Sequence, residues 1–269
     1  MYSPKLPKVL LCLALLTVIE SLQHGITATA ARSRTISIGG RLTTTVYEYG
    51  SHQQEDLLNT FLDSTEVVDE KVDADDFDPY GVIMWPSSVA VAHRLVDTGG
   101  ILGGEVVEGE GGGAGGSRGR MLELGCGVGL VGLTCAKAGL FDEVLLTDVS
   151  KESLELARKG AQENCCGEGT RLAVNEFDFL GGESLPECDT LVATDILYTE
   201  KMGLGLGKRV IEALENGTRR VIIGDSEGRW GRKAFLSTIR KGGWDGVGFE
   251  KVGGEEGSVS IFEIDINRR

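Results

Sequence analysis

From residue 120 onward the chain alternates between two hydrophobic rhythms. Short apolar runs recur at about 120–124, 143–148, 171–176, 190–194 and 219–224. Runs of that length, bounded by glycine or polar residues, predict buried strands. Between them, apolar positions fall three or four residues apart and predict helices over 129–138, 150–164, about 203–215 and 230–241. Strands alternating with helices predict a mainly parallel, doubly wound α/β sheet. Two late strands, about 246–252 and 257–265, have no helical pattern between them. They are expected to form an antiparallel hairpin at the sheet edge.

Upstream the pattern changes. Thr35 to Tyr49 alternates strand formers around Gly39-Gly40 and predicts a β-hairpin. Residues 54–78 carry ten acids, with Leu57, Leu58, Phe61 and Leu62 at helical spacing, so part of this stretch predicts a surface helix. Gly81 to Ser88 leads through Trp85-Pro86 into a helix ending near Val96, because proline suits a first helical turn. Residues 99–119 contain eleven glycines and read as a flexible insertion before the first sheet strand. The expected organisation is a leader over 1–31 and one domain over 32–269.

The candidate chemistry gathers where the first strand meets its helix. Glu123 ends the apolar run, and Gly125, Gly127 and Gly129 follow. Glycine lets the backbone turn sharply and come close to a ligand. Asp148, at the end of the next strand, can accept hydrogen bonds from ribose hydroxyls. Gly127-Val-Gly129-Leu-Val-Gly132 also fits a dinucleotide fingerprint. A pyrophosphate, however, wants a helix N-terminus free of carboxylates. A sulfonium and ammonium ligand tolerates Glu123.

The carboxyl ends of the later strands carry further candidates, since open α/β sheets bind ligands there. Asp195 and Tyr198 follow the fourth strand and could both face the cleft; a helix-capping Asp with a packed Tyr is the plainer alternative. Asp178-Phe179, after the third strand, could bind and cover an adenine. Trp85 offers a flat wall for a cofactor pocket or serves as a core residue.

Charge and cysteine content narrow the field. The chain has a net charge of −14. An acidic body disfavours nucleic acid as substrate, because phosphate contacts need clustered lysine and arginine. The six cysteines show no CxxC pair and read as free thiols, and three histidines leave little for a hydrolase triad or a metal site. Lys5 and Lys8 precede an eleven-residue apolar run, Val9 to Ile19, and Ala28-Thr-Ala30 has a small-x-small form. These are marks of a targeting leader too short to span a bilayer comfortably. The basic, hydroxyl-rich stretch after it resembles a transit sequence. Plastid, mitochondrion or secretory route are the destinations it suggests, while the thiols of the body suit a reducing compartment.

The loop Glu123-Leu-Gly-Cys-Gly-Val-Gly129 resembles the S-adenosyl-L-methionine loop of class I methyltransferases. With Trp85-Pro86, Thr147-Asp148 and Asp195-Ile-Leu-Tyr198 in the same order, the chain from about 36 to 265 resembles methyltransferase family 16, which mostly methylates protein lysines. Ile222-Ile-Gly-Asp-Ser226 is also similar to a segment of members acting on an electron-transfer flavoprotein. The resemblance implies a Rossmann-like seven-stranded sheet with a terminal antiparallel hairpin, preceded here by the N-terminal β-hairpin. It implies S-adenosyl-L-methionine as cofactor, held by Trp85, Glu123, Gly125, Gly127, Gly129, Asp148, Asp178, Phe179 and Asp195, with no metal. Asp195 and Tyr198 would carry catalysis, Asp195 orienting the incoming amine. The expected partner is a protein with an accessible lysine, met by a monomer with no stable membrane insertion of the mature body. A small-molecule amine methyltransferase and a catalytically silent cofactor binder are the alternatives; a nicotinamide-dependent oxidoreductase is a third.

Overall fold

Period-two alternation decides which side of the sheet each strand residue faces. In the computed structural model, which describes residues 31–40, 42–50, 80–99, 117–252 and 258–266, that alternation builds two cores. Met121, Val144, Leu146, Val192 and Ile222 enter one, while Leu122, Leu124, Leu191, Ala193, Val221 and Ile223 enter the other. The strands are β3 (Arg120–Leu124), β4 (Glu143–Asp148), β5 (Arg171–Glu176), β6 (Thr190–Thr194), β7 (Arg220–Ser226), β8 (Phe249–Val252) and β9 (Val259–Asp265). Their order across the sheet is β5-β4-β3-β6-β7-β9-β8. The first five run parallel; β9 is antiparallel to both β7 and β8. The chain thus inserts its last strand inside the edge strand β8.

Helices α1 (Pro86–Asp97), α2 (Leu130–Lys137), α3 (Lys151–Glu163), α4 (Glu200–Glu215) and α5 (Gly231–Lys241) cover the sheet. Local chemistry starts α3 and α4: Ser150 Oγ accepts from Ser153 N, and Thr199 Oγ1 accepts from Met202 N. The starts of α1 and α2 have no such cap of their own. Acids from neighbouring strand ends supply it, as described below.

Strands β1 (Arg32–Ile38) and β2 (Leu42–Glu48) form a separate antiparallel hairpin, starting three residues before the predicted Thr35. Gly39 and Gly40 take positive φ at its turn, 59° and 67°. The hairpin packs on the helix layer rather than on the sheet. Asn164, just after α3, clamps it by accepting from Thr45 N at 3.1 Å and donating to Thr45 O at 2.7 Å. Its far end reaches the ligand side: Met84 N donates to Glu48 Oε2 and Tyr49 N donates to Val82 O. The predicted acidic helix over 54–78, the glycine-rich stretch over 100–116 and residues 1–30 of the leader lie outside the described residues.

Candidate active site

The carboxyl ends of β3, β4 and β6 open onto a cleft of about 680 Å³, counting the space open to solvent. The loop after β3 forms one wall. Gly125, Gly127 and Gly129 all adopt positive φ, at 60°, 53° and 80°. A Cβ at Gly127 would lie 2.9 Å from the Gly81 carbonyl oxygen, and one at Gly125 would lie 2.7 Å from Ile196 Cγ2. Close approach as well as torsion therefore demands glycine. Opposite, Asp148 receives Gly127 N at 2.8 Å and Ser150 N at 2.9 Å, one on each carboxylate oxygen. A carboxylate so placed at a strand end can accept from ligand hydroxyls.

Aromatic rings form the other walls. Phe177 and Phe179 line the cleft beyond β5, and Tyr80, Trp85 and Tyr198 line it near α1 and α4. The Tyr80 ring lies 6.5 Å from Trp85 and 5.7 Å from Tyr198, and Trp85 Nε1 donates to Tyr80 O at 2.8 Å. The guanidinium of Arg229 stacks 4.9 Å from the Trp85 ring centre, within cation–π range.

Asp195 is the only non-glycine residue with positive φ among the described residues, at 54°. That backbone turns its carboxylate inward, leaving the side chain 1% exposed. One oxygen accepts from Ser87 N at 3.1 Å and so caps α1; the other accepts from Ser226 N at 2.9 Å. Arg229 stands 3.6 Å from the second oxygen. Asp195 thus joins the ends of β6 and β7 to the helix that carries Trp85. Beneath it, Asp225 is fully buried against Arg232 at 2.9 Å, with Oδ1 lacking a hydrogen-bond partner. Burial pushes its carboxyl up to about 7, Arg232 working against the shift and Asp195 with it.

A sequence model of the lysine methyltransferase family matches residues 68–242, more than half of the chain. The chain belongs to the lysine methyltransferase family. It is an S-adenosyl-L-methionine-dependent methyltransferase. Its fold is shared with a putative methyltransferase from Streptococcus mutans, at 12% identity and a TM-score of 0.52, covering 90% of this chain and 57% of that one. A putative methyltransferase, SMU.776, solved with S-adenosylhomocysteine, is 13% identical at a TM-score of 0.52, over 90% and 58%. Magnesium protoporphyrin IX methyltransferase from Synechocystis, with the methyl donor bound, is 18% identical at 0.47, over 80% and 95%. No curated protein matches the chain.

The methyltransferase brings Trp85, Gly125, Gly127, Asp148, Phe179, Asp195 and Tyr198 to one cleft. Three expected cofactor contacts lie elsewhere. Glu123 is fully buried under the loop, where Oε2 accepts from Gly132 N at 2.8 Å and caps α2. Gly129 is the left-handed start of that helix; a Cβ there would press on Leu146 and Ala157. Asp178 is exposed and folds onto its own loop, accepting from Leu180 N at 2.7 Å. Sequence reasoning missed Tyr80, Phe177, Met202 and Arg229. Tyr80-Gly81, immediately before the Trp-Pro turn, was the available signal for the first. The described residues hold no cluster of metal-binding side chains, and their five cysteines are free thiols.

Proposed function

We propose that the chain transfers the methyl group of S-adenosyl-L-methionine to the ε-amine of a lysine in a protein substrate. The observation that carries this reading is the trio of rings, Tyr80, Trp85 and Tyr198, lining the same cleft as the glycine loop and Asp148. Lysine has a long apolar stem and a cationic head, and aromatic walls suit both.

When bound, S-adenosyl-L-methionine supplies an electrophilic methyl on a sulfonium. The residues present fit it: Asp148 would hold the ribose hydroxyls, Phe177 and Phe179 would flank the adenine, and the Gly125–Val128 backbone would follow the remainder. The protein's own contribution is alignment and a dry site. Lysine must arrive neutral. With an ordinary pKa near 10.4, losing the proton at pH 7 costs roughly 4–5 kcal/mol. Desolvation between the three rings lowers that cost, and water carries the proton away. Asp195, expected to orient the amine, is better read as a positioning residue. Its two oxygens fix the Trp85 turn against the end of β7, and so fix the cleft wall.

Transfer of tritiated methyl from the donor to a cell extract tests the assignment. Label on a protein band, mapped to lysine by mass spectrometry, is the expected result. Label confined to small metabolites overturns it in favour of a small-molecule amine.

A further inference from the structure

We infer that Arg229 is a specificity-determining residue, which receives a carboxylate lying beside the target lysine on the protein substrate. This rests on the protein-lysine reading above and adds which lysines the cleft selects.

Arg229 stands in the turn between β7 and α5, and that turn is tied down on both sides of it. Glu227 N donates to Ser258 O at 3.0 Å, and Gly231 N donates to Leu197 O at 2.9 Å. From there the guanidinium reaches Trp85 and Asp195, two residues that line the cleft.

Two arginines of this region are used differently. Arg232 serves the fold: Nε donates to Asp225 Oδ2 at 2.9 Å, and Nη2 donates to the Asp225 and Ser226 carbonyls, both at 3.1 Å. Arg229 makes no hydrogen bond. Its Nη2 lies 3.6 Å from Asp195 Oδ1, too far for one, and that oxygen already accepts from Ser226 N. Yet the side chain is only 13% exposed. A guanidinium has five N–H donors. Holding it mostly out of water with none of them bonded is unfavourable until an acceptor arrives. The Trp85 face and the Asp195 charge keep the group in place, and its planar fork matches the two oxygens of a carboxylate.

The order of strands says which ligand brings that carboxylate. The sheet runs β5-β4-β3-β6-β7 beneath the cleft. In the reading above the donor occupies the first three, through Phe177 and Phe179 after β5, Asp148 on β4 and the glycine loop after β3. Arg229 follows β7, on the far side of Asp195 and Tyr198, and so belongs to the acceptor's half. Charge at the rim agrees. The first turns of α4 and α5 touch, since a Cβ at Gly203 would lie 2.1 Å from the Gly231 carbonyl oxygen. Those turns expose Lys201 and Lys233 against one acid, Glu200, while Glu227 pairs with Lys251. Such a rim favours an acidic segment.

The test labels extract proteins with tritiated methyl donor, before and after their carboxylates are amidated by carbodiimide with excess methylamine. The donor is added afterwards and keeps its own carboxylate. The full chain and Arg229→Gln are compared, with donor affinity read by calorimetry. The unaltered chain should label untreated extract about tenfold faster than amidated extract, and Arg229→Gln should label both at about the slower rate, with donor Kd within about twofold. An equal proportional loss on amidation for the two proteins overturns the carboxylate contact. A weakened donor Kd in Arg229→Gln, with no effect of amidation on either protein, assigns the contact to the donor's carboxylate and overturns the proposal too. Both outcomes leave the lysine reading intact. Absence of protein label with the unaltered chain overturns that reading, and this proposal with it. Should Arg229→Gln fail to fold, Arg229→Lys keeps the charge and loses the fork; its loss on amidation should be about threefold or less, and a loss equal to that of the unaltered chain overturns the assignment.

Discussion

The two ends of the parallel strands treat their acids differently. At the amino end, acids meet arginine side chains. Arg118 bonds Asp142 at 2.9 Å, and Arg94 and Arg220 both reach Glu263 at 2.8 Å. Hydrogen bonds from Arg118 and Ser117 hold Asp142 below the usual carboxylate range. Burial works to raise Glu263, but the bonds and charges of Arg94 and Arg220 outweigh it, and it too lies low. At the carboxyl end three acids meet backbone N–H groups, Glu123 taking Gly132, Asp148 taking Gly127 and Ser150, and Asp195 taking Ser87 and Ser226, while Asp225 pairs with Arg232. There burial wins, lifting Glu123 to about 8 and Asp225 to about 7. One end is built from neutralised pairs that close the sheet. The other spends buried carboxylates on shaping loops and helix starts around a cleft.

Gly127→Arg should have the largest effect. The residue stands at φ 53°, and any side chain there meets the Gly81 carbonyl. The substitution strains the backbone and displaces the wall carrying Tyr80 and Trp85. Donor affinity should fall at least about a thousandfold, ~4 kcal/mol, by calorimetry. Near-normal affinity would refute the cleft as the cofactor site. Arg220→Met probes the opposite end. Arg220 is fully buried, and its loss leaves Glu263 with Arg94 alone. Removing one partner of a buried pair should cost about 3 kcal/mol in denaturant unfolding, with donor affinity unchanged. If affinity falls with stability, the two ends are not separable.

Asp195→Ala should come next. It leaves Ser87 N and Ser226 N without their acceptor and loosens the Trp85 turn. A misplaced wall of this kind costs on the order of a hundredfold in turnover, while donor affinity should stay within a few-fold. Asp195→Asn keeps one acceptor oxygen and should retain intermediate turnover. Equal turnover in all three proteins would remove Asp195 from the mechanism.

The architecture was legible because two-residue and three-to-four-residue periods survive in the sequence. Strands 120–124, 143–148, 171–176 and 190–194 were predicted with the boundaries the structure shows. The glycine loop was legible because its torsions and contacts admit little else. The direction of each acid was harder to read. Glu123 shares a face with Met121, since both are odd positions of one strand, so alternation alone points it at α2 and away from solvent. Asp195 owes its inward carboxylate to a positive φ that no neighbouring residue announces. Tyr80 joins the cleft through the hairpin, whose Glu48 holds Met84 N across 36 positions of sequence.

Opposite pH responses give the finest test of the two-ended design. Glu263 and Asp142 have folded-state pKa values below their ordinary ones. Their contribution is present above the ordinary carboxylate range and is lost as pH falls through the lowered values. Glu123 has the reverse sign. Its folded-state value, raised from 4.5 to about 8, means that the native state binds the extra proton. Stability therefore declines as pH rises from about 4.5 to about 8. Glu123→Gln copies the neutral acid: the side-chain oxygen still caps α2 through Gly132 N, and the amide occupies the position of the unpartnered Oε1. The variant should lose that decline, so its stability advantage over wild type grows from pH 5 to pH 8. Denaturant midpoints across that interval measure it. Parallel curves for the two proteins would mean that Glu123 is ionised in the fold, its buried charge held by Gly132 and the start of α2, and the contrast between the two ends would rest on geometry alone.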